Sequence, residues 1–208
     1  MRQAIAPTGR PQAAEPATPA SPPPYALKLV AAAERERVER FIHAAYETAY
    51  GARITSFMPC LATVSRGTEI VAACGLRHAA GERLFVETYL GAPIEEPLSA
   101  AAGEAVARDA LVEVGNLAIL RPGYARLLIR LLTRHLYAHG ARWVVFTAVP
   151  ALRNNFAALS IPLYALGAAR PERLPAAERE RWGRYYDTAP QVTAVRVADA
   201  AAAIGRSS

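Results

Sequence analysis

The chain has 208 residues, 52% of them apolar, which is enough for one sizeable core and too few for two full-sized domains. A formal charge of +6 points to acidic partners (nucleic acid, anionic lipid, coenzyme A phosphates or an acidic carrier protein) without choosing among them. No signal-peptide pattern and no bilayer-spanning apolar run is present, and Cys60 and Cys74 form no CxxC or Cys/His cluster, so a cytoplasmic, reduced, metal-free chain without a transmembrane segment is expected.

Residues 1–24 hold seven prolines among Ala, Ser, Thr and Gln, a composition that cannot offset chain entropy by burial and reads as a disordered leader. A short strand is predicted at 25–30, followed by a helix whose Val38, Phe41, Ile42, Ala45 and Ala49 share one face and which Gly51 ends. Segments 61–64 and 69–77 flank Ser65-Arg66-Gly67-Thr68 as an antiparallel pair. A third strand is predicted at 83–90, and Pro93 and Pro97 open a helix that runs to about Ala107. The Val- and Leu-rich stretch 110–120 reads as a central strand covered on both faces.

After Pro122-Gly123 comes the best helix of the chain, 124–139, with Leu127, Leu128, Leu131, Leu132 and Leu136 toward a core and Arg126, Arg130 and Arg134 on the other side. A second buried strand is expected at 143–149, a short helix at 151–159, strands at 162–168 and 192–197, and between them a helix at 176–184. This order combines early antiparallel hairpins with a late right-handed crossover, which gives a three-layer α/β/α domain around a mixed central sheet at 25–197 and a flexible tail at 198–208.

One polar residue interrupts the central strand. A carboxylate there is expensive to bury unless paired or neutralised, so Glu113 is expected either to pair with an Arg such as Arg77 or to have a raised pKa suited to accepting a proton from an amine. Asn116 falls on the opposite face of an ideal strand and is free to bond local backbone groups. Glu87 is either a second acid in the cleft or a solvated strand-edge residue. The strand-turn-helix at Leu120-Arg121-Pro122-Gly123-Tyr124-Ala125 is a candidate anion site because helix N-termini offer free N–H groups. The basic residues form no run or aromatic-interleaved patch, the His residues form no metal or triad motif, and no Gly-x-Ser-x-Gly elbow occurs, so nucleic-acid binding and lipase chemistry are not supported.

Taken together, Phe41-Ile-His-Ala-Ala-Tyr-Glu-Thr-Ala-Tyr-Gly-Ala-Arg53, Ser56-Phe-Met-Pro-Cys-Leu61, Leu84-Phe-Val-Glu-Thr-Tyr-Leu90, Val112-Glu-Val-Gly-Asn-Leu-Ala118 and Trp182-Gly-Arg-Tyr-Tyr186 resemble the thermostable hemolysin family, over about 35–195. That family is regarded as GNAT-like, with the acyl-CoA N-acyltransferase fold, and as related to acyl-homoserine-lactone synthases. The resemblance implies transfer of an acyl group from an acyl-carrier-protein or coenzyme A thioester to a small amine acceptor. It implies Glu113, Arg77 and Asn116 at the reacting centre. It also implies Leu117, Ala118, Gly123, Tyr124, Ala125 and Asn154 around the thioester, with Leu117 and Phe146 flanking its pantetheine arm. Gly115-Asn116 stands where those synthases carry Ser-Arg, so a different amine acceptor is implied. The nearest aromatic to the general-acid Tyr of GNAT enzymes is Tyr164, while Trp182, Tyr185 and Tyr186 read as core and rim packing. The rival expectation is a membrane-active, hemolysin-type protein at a lipid surface, with peripheral membrane contact through amphipathic helices.

Overall fold

The computed structural model describes residues 24–206. The predicted leader at 1–24 therefore lies, Pro24 apart, outside the described residues. Strand β1 (Ala26–Leu29) leads into helix α1 (Arg35–Tyr50), which buries Val38 and Ile42 of the expected face together with Tyr46, while Phe41 and Ala45 are half-buried and Ala49 is exposed. Strands β2 (Cys60–Arg66) and β3 (Glu69–His78) pair as the expected hairpin.

The segment predicted as a strand at 83–90 is instead a turn followed by the single-turn helix α2 (Glu87–Leu90). Its amides explain why. The N–H groups of Leu84, Phe85 and Val86 donate to the carboxylates of Glu87 and Glu113, so they are not available to a strand ladder. Helix α3 (Glu95–Ala102) is shorter than expected.

Strand β4 (Leu111–Ile119), helix α4 (Tyr124–Ala138), strand β5 (Trp143–Ala148) and helix α5 (Pro150–Ala158) follow the sequence reading within a residue or two. The chain closes with β6 (Tyr164–Ala168), α6 (Ala176–Arg181), β7 (Gln191–Arg196) and α7 (Val197–Arg206). The last of these corrects the predicted flexible tail: Val197, Ala200, Ala203 and Ile204 form a buried helical stripe against the α4 side of the core.

The seven strands run in the order β1-β2-β3-β4-β5-β7-β6. Only β4 and β5 are parallel; every other neighbouring pair is antiparallel. One face carries Val112, Val114 and Phe146 under α4, α5 and α7, and the other packs α1, α2 and α3 against residues such as Ala73, Leu111 and Val145. The result is a three-layer α/β/α domain with a mixed sheet.

Two irregularities in β4 shape the functional region. Its pairing with β5 ends at Val114↔Phe146, while β5 continues along β7 as far as Ala148↔Gln191, so β4 and β5 part beyond Val114. On its other edge, β4 passes from Gly115↔Gly75 to Ala118↔Ala73, so Cys74 alone lies opposite Asn116 and Leu117. This is a β-bulge, with Asn116 left-handed at φ 47°.

Candidate active site

Glu113 is only 1% exposed and stands in the wall of the opening where the two strands part. One carboxylate oxygen accepts the Val86 amide at 2.8 Å and the other the Phe85 amide at 3.0 Å. Arg77, its cross-strand partner on β3, brings its guanidinium to 4.0 Å and also approaches Glu82 at 3.4 Å and the Arg83 carbonyl at 3.3 Å. Both sequence expectations for Glu113 therefore meet in one residue. Burial pushes its pKa up and prevails, although the two amides and Arg77 pull it down; the nearby charge of Glu87 adds to the rise.

Asn116 departs from the expected alternation because the bulge turns its side chain to the Glu113 side. Its partners are also not local in sequence. Oδ1 accepts the Met58 amide at 2.9 Å and Nδ2 donates to the Ser56 carbonyl at 3.2 Å, which ties the 56–58 segment across the sheet. A left-handed Asn costs less than most side chains would there, because its short amide bonds nearby backbone.

Glu113, Arg77, Gly115 and Asn116 border a cavity of about 130 Å³, walled by aromatic rings. Phe85 stacks with Trp182 at 6.2 Å between centroids, and the Tyr89 and Tyr186 hydroxyls are 2.6 Å apart. A second cavity of about 170 Å³ lies toward α4 and is bordered by Ala118, Ala125 and Asn155. Tyr46, Leu117, Thr147, Leu152 and Tyr185 belong to both, so the two cavities meet at the parted strands. Beneath α4 a third, almost wholly apolar void shares Val114, Leu117, Phe146 and Leu152 with the first.

The remaining sequence candidates divide. Leu117, Ala118 and Ala125 line the second cavity. Gly123 caps α4, but the amides of Tyr124 and Ala125 already donate to the Arg121 and Pro122 carbonyls, so much of the expected anion cradle is used in closing its own turn. The Tyr124 ring packs edge-on against Tyr25 at 5.8 Å, toward β1. Asn154 is exposed, and it is its neighbour Asn155 that borders the second cavity. Tyr164 packs against Trp143 at 5.1 Å and lines neither cavity.

Glu87 is not a solvated strand-edge residue. It is 4% exposed, accepts the Leu84 and Ile94 amides and pairs with Arg108. Burial raises its pKa, but the Arg108 and amide hydrogen bonds outweigh burial and hold the carboxyl below its ordinary value. Sequence reasoning also missed Tyr46, Met58 and Phe85, which come from segments remote in sequence. Their one advance signal was the quoted motif stretches in which they stand.

Compared with known proteins, residues 30–201 match the family model described as thermostable hemolysin. No curated protein sequence matches the chain. Among solved structures, FeeM, an N-acyl amino acid synthase from uncultured soil microbes, is similar at a TM-score of 0.59 and 16% identity, over 86% of this chain and 93% of that one. The acyl-homoserine-lactone synthase LasI gives 0.57 and 9%, over 84% of this chain and 91% of that one. MesI, a CoA-dependent acyl-homoserine lactone synthase, gives 0.52 and 17%, over 87% and 94%. At such identities the likeness defines the fold, which is GNAT-like.

Proposed function

The chain belongs to the thermostable hemolysin family, and from that premise and the geometry of the cleft we propose that it is an acyltransferase that moves an acyl group from a thioester donor to an amine acceptor. The observation that carries this reading is the coincidence of a buried acid with raised proton affinity, Glu113, and the gap between β4 and β5 in whose wall it stands. The similar proteins, an N-acyl amino acid synthase and acyl-homoserine-lactone synthases, support the same class.

The acceptor amine enters the Glu113 cavity and the thioester reaches it from the second cavity, across Leu117 and Thr147. The amine nitrogen attacks the carbonyl carbon, Glu113 takes the proton released, and the carbon–sulfur bond breaks to expel a thiolate, to which that proton passes so that the thiol leaves and Glu113 is again ionised. The Leu117 amide points to the Tyr46 hydroxyl, and this hydroxyl, which stands where the two cavities meet, polarises the carbonyl. Asn116 keeps the 56–58 segment in place as one wall. The void beneath α4 matches the acyl chain in its apolar lining, but at about 40 Å³ it holds a chain only once its side chains move apart. It favours the Leu-rich helix over the 98–107 segment as the chain's lining, since Leu98 is buried in the cluster on the opposite face of the sheet. Acyl carrier protein is the donor favoured by the occupied amides at the α4 turn, with coenzyme A esters as the alternative.

The test incubates the protein with octanoyl-acyl carrier protein or octanoyl-coenzyme A and a mixture of the twenty amino acids and short alkylamines. Mass spectrometry follows amide formation. The reading requires an enzyme-dependent amide from at least one donor and fails if neither yields one.

A further inference from the structure

Two buried carboxylates hold the two sides of one turn. Glu113 takes the amides of Phe85 and Val86, and Glu87 takes that of Leu84 at 2.8 Å and that of Ile94 at 2.9 Å. Glu87 is in turn gripped by Arg108. The same guanidinium bonds Glu95 at 2.8 Å, the Ala79 carbonyl at 2.8 Å and the Glu82 carbonyl at 2.6 Å. One Arg thus gathers the chain before the turn, the turn's own acid and the helix after it. Glu82 also reaches back to Arg77, the cation beside Glu113.

We propose that Arg108 and Glu87 are positioning residues for Glu113, acting through the backbone of residues 84–86. The proposal rests on the reading of Glu113 as the acid–base group of the cleft. Neither residue borders the Glu113 cavity; Arg108 and Glu87 line an open surface recess on the other side of the turn.

The arrangement separates two acids that would otherwise compete for the same charge. Arg108 and two amides keep Glu87 ionised, whereas Glu113, deeper and with its Arg at 4.0 Å, is left able to take a proton. Among the described residues, the charged and titratable groups around Glu113 are Arg77 from β3, Glu87 and Tyr89 from α2 and, bordering the same cavity, Tyr46 from α1 and Tyr185. Of these, Glu87 also anchors the loop that supplies Glu113's two hydrogen-bond donors, so it sets both the place of the carboxylate and its proton affinity. Arg suits position 108 because its planar fork binds several acceptors at once, which a Lys ammonium on a flexible stem does not reproduce.

The experiment compares wild type, Arg108→Gln and Arg108→Lys. Hydrogen exchange at the Phe85 and Val86 amides is expected to accelerate about tenfold in Arg108→Gln, with the amides of β5 unchanged. In the octanoyl-transfer assay, kcat is expected to fall on the order of tenfold or more with KM nearly constant. The acid limb of the pH profile should move to higher pH, because Glu113 loses fixed amide donors and faces Glu87 without its screening guanidinium. Arg108→Lys should move both readouts the same way by less, and decides the matter if Arg108→Gln does not fold. Unchanged protection at Phe85 and Val86, or a fall in activity with the acid limb unmoved, overturns the proposal. Absence of any amide from wild type would instead remove the acyltransferase reading, while the exchange measurement would still report on the turn.

Discussion

The Met58 side chain fills the space that a Cβ on Gly115 would need, so the floor of the Glu113 cavity depends on a missing methyl group. Gly75, the cross-strand partner of Gly115, plays the same part, since an added Cβ there would stand 2.5 Å from the Met58 Cβ. Gly75→Ala should push Met58 off the sheet and strain the Asn116 hydrogen bond to its amide, at about 1–3 kcal/mol of stability, whereas Gly115→Ala should cost less, since it meets only the flexible end of Met58. Adding Met58→Ala should recover most of any loss in Gly115→Ala, because the obstructing Cε is gone, but little of that in Gly75→Ala, whose clash is with the Cβ that Ala retains. Denaturant melts of the single and double variants check this; strictly additive effects of Gly115→Ala and Met58→Ala would mean that these two residues do not conflict.

Asn116 carries both a left-handed backbone and two hydrogen bonds to the 56–58 segment. Asn116→Gly removes the bonds but tolerates φ 47°, whereas Asn116→Ala loses the bonds and adds roughly 1–2 kcal/mol of backbone strain. The expected stability order is wild type, then Asn116→Gly, then Asn116→Ala. Equal stability of the two variants in urea would show that the bulge relaxes on substitution.

These two cases mark what the sequence could and could not disclose. Glu113 was legible because one charge stood in an otherwise apolar strand, and Arg77 because an antiparallel neighbour lies across from it. The β4-α4-β5 unit followed from apolar runs and a Pro-Gly turn. Residues 84–86 were read as a strand because local propensity does not reveal that their amides are claimed by carboxylates, one of them at position 113. The face of Asn116 differs from the expectation because alternation slips by one residue at a bulge, and in a strand apolar on both faces no polar alternation shows the slip. Helix α7 did leave a mark, the stripe Val197, Ala200, Ala203 and Ile204, which its Ala-rich composition obscured.

Glu113→Gln should lower acyl transfer by at least about 100-fold, since Gln cannot accept the amine's proton. Activity of the wild type should fall as pH drops through a value above the ordinary carboxylate range, because burial raises the proton affinity of Glu113. Stability carries the same signature. The folded state binds this proton more tightly than the unfolded state, so Glu113 lowers wild-type stability progressively as pH rises from about 4.3 through its raised pKa. Gln also turns an N–H₂ group toward an amide donor, which costs about 1–3 kcal/mol at low pH. The melting-temperature gap between wild type and variant should therefore narrow as pH rises from about 4.3, the ordinary Glu value, through the raised pKa of Glu113. A gap that widens over this range would contradict the raised pKa, and retained turnover in the variant would reject Glu113 as base.

The last prediction concerns the donor. Coenzyme A esters draw much of their affinity from their phosphates, yet at the α4 turn Pro122 has no N–H and the Tyr124 and Ala125 amides are already bonded to Arg121 and Pro122. Acyl carrier protein offers an acidic surface instead. On α4, Arg126 and Arg134 are exposed and Arg130 is half-buried, at four-residue spacing along one side of the helix whose Ala125 lines the second cavity. Such a stripe attracts an acidic partner at long range and speeds encounter more than it strengthens the final complex. With the same octanoyl chain on each carrier, acyl carrier protein should give the higher kcat/KM. That advantage should shrink with added salt, since charges are screened within about 8 Å at physiological ionic strength. Replacing Arg126, Arg130 and Arg134 together with Gln should lower kcat/KM for the carrier protein by about tenfold or more while leaving the coenzyme A ester nearly unaffected. A higher efficiency with the coenzyme A ester, or a carrier-protein rate indifferent both to salt and to the triple substitution, would place the donor's docking elsewhere.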